Sequence, residues 1–275
     1  MSTYGGADTY ERFRALHHGE RPLLLPCAWD HASAAALHRR GFPAIGTTSL
    51  GVAAAAGLPD GSGAARDETL ALGRGLARLP VPVSVDVEGG FSDDPGEVAA
   101  LGAELARAGV AGVNIEDGLP DGTLADPGHH AAKISALKRA APRLFVNART
   151  DTHWLGADAT LGGALRRCTA YAAAGADCVF VPGLLEASEI AALVGELGTT
   201  PLNVLYSPGR LSRDGLADAG VRRISLGSLP FRAALQRAVD LACSIAEPGG
   251  TSLEPSPVPA YGEVQALHGE FEDRR

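Results

Sequence analysis

Short apolar segments rich in β-branched residues alternate along this chain with longer segments whose apolar positions recur at helical spacing. This alternation is typical of parallel strands joined by crossover helices. It predicts eight strands, at residues 22–29, 43–49, 82–88, 112–116, 144–150, 178–182, 202–206 and 223–227. The predicted helices between and after them lie at residues 30–41, 64–79, 95–109, 130–141, 159–175, 187–197, 212–220 and 230–246.

Many of these helices end at a glycine and are followed within a few residues by the next strand, as at Gly41, Gly109, Gly175 and Gly220. Glycine ends a helix readily because the left-handed conformation costs it little. Eight consecutive units in 275 residues favour a closed (β/α)8 barrel, the TIM barrel, over an open doubly wound sheet.

We therefore predict one barrel domain over residues 1–275, with its core at about 20–246. A predicted helix at residues 8–18 precedes the barrel, and a helical tail at residues 247–275 follows it. The tail either lies across its own barrel or is exchanged with a neighbouring subunit.

Composition and charge narrow the range of partners. A net charge of −8 without a basic stripe argues against nucleic acid, because phosphate contacts need clustered Lys and Arg. No apolar run is long enough to span a bilayer, and the polar N-terminus lacks a secretory signal, so we expect a cytoplasmic protein with no membrane partner. The four cysteines have no CxxC spacing, which favours reduced, buried thiols. A dinucleotide fingerprint after the first strand and a P-loop are both absent.

The third predicted strand, VPVSVDVEGGF, ends with two carboxylates, Asp86 and Glu88. Barrel active sites lie at the C-terminal ends of the strands, and residues two apart on a strand share a face, here the interior. Two inward carboxylates need compensation, which a hard divalent cation supplies most simply. The alternative is that they cap the helix near Pro95 or pair with surface Arg, although residues 92–94 are better placed as caps.

The fourth and fifth strands end in further charged residues. Strand period places Glu116 on the face of Asn114, with Asp117 on the opposite face, unless the two acidic residues simply begin a loop. Asn147 and Arg149 share a face of the fifth strand. An inward Arg149 suits a substrate carboxylate or a developing enolate oxygen, and the alternative is that it only neutralises Glu116.

Further candidates at the same end of the barrel lie in the loop after the second strand and on the seventh strand. Asp60 lies in the GLPDG loop after the second strand, where it could also be an ordinary turn residue. The amide of Asn203 in PLNVL could hold a carboxylate. The candidates for a proton donor, which could equally have surface or capping roles, are His129, His130, His153 and Tyr206.

These motifs together resemble the isocitrate lyase and phosphoenolpyruvate mutase superfamily over nearly the whole chain. The matching blocks, in order, are PCAWDHASAAALHRRGFPAIGTTSLGVAAAAGLPDG, PVSVDVEGGFSDDPGEVAALGAELARAGVAGVNIEDG, FVNARTD, YAAAGADCVFVPG, PLNVL and ISLGS. Each block alone is weakly diagnostic, whereas the ordered set is specific.

The resemblance implies a Mg²⁺ site, with Mn²⁺ as an alternative, held partly through water by an acidic cluster of Asp60, Asp86, Glu88 and Glu116. It implies that a small carboxylate substrate contacts Thr47, Thr48 and Ser49, largely through backbone N–H groups, together with Arg149 and Asn203. We expect Arg149, Glu116 and Asp60 to have catalytic roles. The family also implies a homo-oligomer, a dimer or a tetramer, with an exchanged C-terminal helix.

This chain departs from the family after the fourth strand. It has EDGLPDGTLADPGHH in place of the KxCGH-type loop of the lyases and of the EDKxxPKxNS signature of the phosphonomutases. The segment at residues 119–130 is predicted to form a short lid. The predicted function is a lyase that breaks or forms a carbon–carbon bond beside a 2-oxo or 2-hydroxy carboxylate through an enolate, which includes decarboxylation of an oxaloacetate-like acid. The alternatives are a phosphonomutase and a catalytically silent carboxylate-binding barrel.

Overall fold

A computed structural model describes residues 9–246 and 258–272 of the chain, and its parallel strands form a nearly closed barrel. The strands are β1 (Leu23–Leu25), β2 (Cys27–Ala28), β3 (Ile45–Thr47), β4 (Val83–Asp86), β5 (Gly112–Glu116), β6 (Phe145–Arg149), β7 (Cys178–Phe180), β8 (Leu202–Leu205) and β9 (Arg223–Ser225). Their order in the sheet is β1-β9-β8-β7-β6-β5-β4-β3-β2.

The first predicted strand is divided at Pro26, because proline has no N–H to donate to a sheet ladder. Its first part, β1, pairs with β9, and its second part, β2, pairs with β3. The carbonyl oxygen of Pro26 still accepts from Gly46 N at 2.8 Å. The ring therefore closes through one residue, and the predicted eight-stranded barrel is confirmed with its first strand in two pieces.

The barrel is surrounded by helices, most of which occupy the predicted positions. They are α1 (Thr9–Leu16), α2 (His31–Arg39), α3 (Ser49–Ala55), α4 (Arg66–Leu76), α5 (Pro95–Arg107), α6 (Pro127–Ala140), α7 (Thr152–Leu155), α8 (Leu161–Ala173), α9 (Ala187–Leu197), α10 (Arg213–Asp218), α11 (Leu229–Ala246) and α12 (Tyr261–Gln265). The short helices α3 and α7, which begin directly after strands, were not predicted. None of the helices in the described ranges is long and apolar enough to cross a bilayer.

Side-chain caps fix where several helices begin after their strands. Asp30 accepts from Ser33 N at 2.7 Å, and Asp94 accepts from Gly96 N at 2.8 Å. Asp126 caps α6 in the same way, by accepting from His129 N at 2.9 Å. These caps satisfy N–H groups that a helix leaves unpaired at its start.

The described part of the tail, residues 258–272, packs on α2 of its own barrel. After α12, a 3-10 helix (Ala266–Phe271) places Phe271 against the ring of His31, with centroids 5.1 Å apart. Arg39 Nε donates to Glu270 Oε1 at 2.9 Å. The remainder of the predicted tail, residues 247–257 and 273–275, lies outside the described residues.

Helix α1 covers the N-terminal end of the barrel, opposite the predicted site. Phe13 is fully buried there and meets Phe145 at a centroid distance of 5.0 Å, while the ring of His17 stacks on Phe145 at 4.2 Å. A helix was predicted at residues 8–18, and α1 (Thr9–Leu16) confirms it. Its aromatic contacts close the barrel floor.

We expect Phe13→Ala to lower the free energy of unfolding by about 3–5 kcal/mol, because truncating a fully buried phenylalanine removes apolar contacts and leaves a cavity. Urea unfolding followed by circular dichroism measures the change. Ala15→Ser, at an exposed position of the same helix, is the control and should change the free energy by less than about 0.5 kcal/mol. Equal stability of the two variants would contradict this view of the floor.

Candidate active site

A cavity of about 120 Å³ lies at the C-terminal ends of the barrel strands. Its walls come from many strand ends, as expected for a barrel active site. The polar and charged residues in its lining are Thr47, Thr48, Ser49, Asp60, Asp86, Asn114, Arg149, Ser225 and Ser228. Six of the nine residues predicted for the site, Asp60, Asp86, Arg149 and the three of the second-strand segment, therefore share one small cavity.

Strand β4 ends at Asp86, two residues before the predicted end. Glu88 has a φ of 49°, so it lies in a left-handed turn, and the two-residue spacing does not place its side chain. The turn still buries Glu88, whose Oε2 accepts from Gly63 N at 2.7 Å. Its Oε1 is buried without a hydrogen-bond partner among the described residues.

Burial governs the charge state of these two carboxyl groups. It raises the pKa of Asp86, an effect that Arg149 opposes and that the nearby Asp60 reinforces. It also raises the pKa of Glu88, against a lowering hydrogen bond from Gly63. Both shifts come mainly from burial, and the neighbouring carboxylates add to them.

Arg149 lies at the centre of a buried ion cluster. Its Nη1 is 2.6 Å from Glu116 Oε2, and its Nε donates to Asp151 Oδ1 at 2.6 Å. Burial raises the pKa of Glu116 well above its usual value, and the positive charge of Arg149 offsets only part of this increase. Burial disfavours the charge of Arg149, yet Glu116 and Asp151 raise its pKa overall, so it stays a cation.

Arg149 thus neutralises Glu116 and also lines the cavity. The two roles that the sequence left open for this residue are compatible, because a guanidinium has five N–H donors and these contacts leave capacity for a ligand. Glu116 itself does not line the cavity and acts on it through Arg149.

Asp117 points away from the cavity, as strand period predicts, and anchors the outer side of the site. It is buried, and its Oδ1 accepts from Asp151 N at 2.8 Å. Its Oδ2 accepts from Tyr171 Oη at 2.6 Å and from Arg167 Nη1 at 2.9 Å. The carboxylate therefore ties the end of β5 to α8 and to the segment that carries Asp151.

The second-strand segment lines the cavity at the junction between β3 and α3. Thr47 Oγ1 accepts from Asp86 N at 2.8 Å, which ties β3 to the end of β4. Thr48 is the residue before α3, and Ser49 is its first residue. Two of the three N–H groups predicted to contact a carboxylate already have partners within the protein: Thr48 N donates to Ala28 O at 3.1 Å, and a backbone hydrogen bond from Ser49 lowers the pKa of Asp86.

Asn203 lies beneath the cavity rather than in its wall. It is fully buried, and its Nδ2 donates to Ser225 Oγ, which does line the cavity, at 3.0 Å. Arg223 is buried beside it and donates from Nη2 to Asn114 Oδ1 at 3.0 Å. Asn203 and Arg223 thus form a polar layer under the cavity floor.

The predicted proton-donor candidates lie outside the cavity wall. His129 is exposed on α6, while His130 is buried against the ring of Tyr171, and burial lowers its pKa to about 4. His153 and Tyr206 do not line the cavity either. None of the residues 118–126 lines it, because this segment forms its own turn in which Leu119 N donates to Thr123 O at 2.9 Å.

Several lining residues were missed in the sequence because apolar context hides them. Cys27 begins β2, the second piece of the proline-divided strand, and lines the cavity, and burial raises the pKa of its thiol to about 11. Trp154 and Phe180 also line it. Cys27, Cys168 and Cys178 are buried as expected, whereas Cys243 is exposed, so the expectation of four buried thiols was wrong for that residue.

Across residues 9–246 and 258–272, no three His, Cys, Asp or Glu side chains are grouped so that they could hold a metal ion by themselves. The predicted acidic residues surround one end of the barrel, and Asp60 acts on the pKa values of Asp86, Glu88 and Glu116. They do not, however, form a complete shell of direct ligands. Any metal here would need water or substrate oxygens as further ligands.

A parallel barrel with a charged cavity at the C-terminal ends of its strands defines an α/β barrel of the enzyme type. Residues 13–246 match the sequence model of phosphoenolpyruvate phosphomutase. The chain belongs to this family, within the phosphoenolpyruvate mutase and isocitrate lyase superfamily.

The relatives of this chain span lyases and mutases. An uncharacterized protein of Mycobacterium tuberculosis is 44% identical over 95% of this chain and 98% of its own length. A 2-methylisocitrate lyase of Halalkalibacterium halodurans is 34% identical over 70% of this chain and 65% of its own. A Burkholderia cenocepacia protein provisionally described as a lyase/mutase is 34% identical and superposes with a TM-score of 0.86 over 95% of this chain and 96% of its own.

A solved structure of the same fold was determined with ligands bound. It is phosphonopyruvate hydrolase in complex with oxalate and Mg²⁺, which is 23% identical and has a TM-score of 0.82 over 95% of each chain. That protein therefore binds a small dicarboxylate and a divalent cation.

We expect Tyr171→Phe to lower the free energy of unfolding by about 1–3 kcal/mol, because the buried Asp117 loses one of its donors. Urea unfolding measures this change. Tyr261→Phe is the matched control, since its side chain is 85% exposed and it should leave stability unaltered. A Tyr171→Phe variant as stable as the control would show that the Asp117 contacts do not hold the outer side of the site.

Proposed function

We propose that this protein is a Mg²⁺-dependent lyase that breaks or forms a carbon–carbon bond beside a 2-oxo or 2-hydroxy carboxylate through an enolate. The observation that carries the proposal is the placement of Asp86 and Arg149 in the wall of one small cavity. The carboxylate of Asp86 suits a hard metal cation, and the permanent positive charge of Arg149 suits a substrate oxyanion. One ligand in the cavity could reach both groups.

The residues of the cavity fit Mg²⁺. Mg²⁺ prefers oxygen ligands and usually keeps several waters, so that one or two carboxylates suffice on the protein side. Asp86 would hold the ion, with Asp60 and Glu88 around it, and the buried, unpartnered Oε1 of Glu88 suits an ordered water. Bound there, Mg²⁺ would supply positive charge for the carboxylate and the adjacent oxygen of the substrate. Mn²⁺ accepts the same ligands.

The protein's own groups bind and orient the substrate. Thr48 and Ser49 line the cavity at the start of α3, and their hydroxyl groups would donate to the substrate carboxylate, because the N–H of Thr48 already donates to Ala28 O at 3.1 Å. Arg149, held in place by Glu116 and Asp151, stabilises the negative charge that develops on the enolate oxygen when the carbon–carbon bond breaks. Because Arg149 is already fixed, it needs little reorganisation at that step.

The relatives favour the same chemistry. The 2-methylisocitrate lyase among them is a lyase by name, and phosphonopyruvate hydrolase of the same fold binds oxalate with Mg²⁺. Oxalate has the planar dioxygen shape of a pyruvate enolate. A second candidate, a phosphonomutase, is favoured by the family whose sequence model matches residues 13–246.

We expect the purified protein to release pyruvate or another 2-oxo acid from at least one member of a panel of oxaloacetate, malate and citrate derivatives. Coupled detection of pyruvate measures the rate. Activity should disappear with EDTA and return with Mg²⁺, and Asp86→Asn should lower kcat/KM by at least about a hundredfold, because it removes the charge that holds the cation.

Asp67→Asn, a change of an exposed aspartate on α4, is the control for the loss of one negative charge and should keep full activity. Full activity of Asp86→Asn would overturn the proposed role of the site. Interconversion of phosphoenolpyruvate and phosphonopyruvate, followed by ³¹P NMR, would instead favour the phosphonomutase. Tight carboxylate binding without any turnover would indicate a silent binding barrel.

We further propose that the protein is a homo-oligomer with α11 in the interface. No residue of this helix is buried, and it exposes three large apolar side chains, Leu235, Val239 and Ile245. A helix with an apolar stripe is normally covered, and a second copy of the chain is the partner that an exchanged C-terminal helix would provide.

The double variant Leu235→Lys and Val239→Lys should sediment or elute as a smaller species than the unmodified protein, because two charges would have to be buried at the contact. Size-exclusion chromatography with light scattering measures the mass. The control is Ala233→Lys, on the opposite side of the same helix. A monomeric unmodified protein at micromolar concentration would contradict the proposal.

A further inference from the structure

A second cavity, here called the outer chamber, opens beside the active-site cavity. Its volume is about 420 Å³, against about 120 Å³ for the inner cavity. The two share four lining residues, Leu50, Trp154, Leu205 and Ser228. The chamber is therefore a continuation of the candidate active site rather than a separate surface feature.

The two cavities differ in chemistry. The inner cavity contains Asp60, Asp86 and Arg149. The outer chamber is lined mainly by apolar side chains, and its one charged lining residue, Arg232, is exposed and donates from Nε to Ser228 Oγ at 3.2 Å. A molecule that spans both cavities would thus have its charged end inside and an apolar part outside.

The wall between the cavities presents an apolar surface to water. The side chain of Trp154 is 57% exposed at this boundary, and the aromatic ring of Tyr206 lies on the chamber side. Leu185 and Leu226 line the chamber and are half-buried. A ligand group that covers these side chains would remove apolar surface from water, and that burial is favourable in proportion to its area.

We propose that the outer chamber binds an apolar substituent of the substrate, so that the preferred substrate is a 2-oxo or 2-hydroxy acid with an alkyl or aryl chain beyond the reacting carbon. This inference rests on the proposed function, because it takes the inner cavity as the carboxylate site. In this proposal Trp154, Leu185 and Tyr206 determine specificity, because they contact the alkyl or aryl substituent of the substrate rather than its reacting atoms.

The test is a binding series that does not depend on turnover. Oxalate and oxamate, with Mg²⁺ present, probe the inner cavity alone, and N-methyl, N-propyl and N-pentyl oxamate carry a growing alkyl chain on the same head group. Isothermal titration calorimetry should show an affinity that rises by about fourfold for each added methylene that reaches the chamber. Of the two tryptophans in the chain, Trp154 lines both cavities and Trp29 lines neither, so the emission of Trp154 should shift further to the blue with the longer probes than with oxalate.

A variant of the chamber wall separates this effect from general hydrophobic binding. Leu185→Ser alters the chamber without touching the inner cavity, so it should weaken N-pentyl oxamate by about tenfold and leave oxalate unchanged. Val264→Ser, at an exposed apolar position on α12, is the matched control and should affect neither ligand.

The outcomes distinguish the inference from the function on which it rests. Binding of oxalate together with a flat or falling oxamate series would overturn the chamber proposal and leave the proposed function standing. Failure of oxalate itself to bind would overturn the carboxylate site, and the chamber proposal with it.

Discussion

The charge of Arg149 is the constraint on which the C-terminal end of the barrel depends. Glu116 and Asp151 contact it directly, and Asp86 is close enough to raise its pKa. Without this cation, the carboxyl groups of Asp86, Glu116 and Asp151 would lose the positive charge that lowers their pKa values, and each would take up a proton more readily. Removing one partner of a buried ion cluster typically costs about 3–5 kcal/mol. Arg149 also lines the cavity, so the balance of the ion cluster and the positive charge of the cavity wall rest on one group.

Contacts on the opposite face of the end of β5 fix the position of this ion cluster. Strand alternation sends Glu116 towards Arg149 and Asp117 towards α8, where Tyr171 and Arg167 hold it. Asp117 also accepts from the backbone of Asp151, which itself accepts from Arg149. The two faces of β5 are thereby linked through one short segment after β6, and a rigid position for Arg149 follows from this double attachment.

Most of the barrel could be predicted from the sequence because every βα unit has a strong pattern of apolar positions and a clear helix end. The elements that were missed are too short for such a pattern: Pro26 divides the first strand, and α3 and α7 begin where strands end. The alternation of side chains along β5 predicted which face Glu116 and Asp117 occupy. It did not predict how deep a side chain lies along the barrel axis, because that depth depends on strand tilt and register. Asn203 is therefore one layer too deep for a direct contact, and Glu88 reaches the site through a left-handed turn rather than through strand alternation.

The difference between regular elements, which have a sequence pattern, and the segments around the site, which have none, explains why membership of a superfamily leaves the reaction open. The charged residues at the strand ends suit any chemistry that develops negative charge on a substrate oxygen, and lyases and mutases share that need. What separates one substrate from another is the shape of the walls around that charge. Here those walls come from α7 and from the segments after β7, β8 and β9, which follow no regular pattern in the sequence. The apolar outer chamber is consequently a feature that only the folded arrangement of these segments reveals.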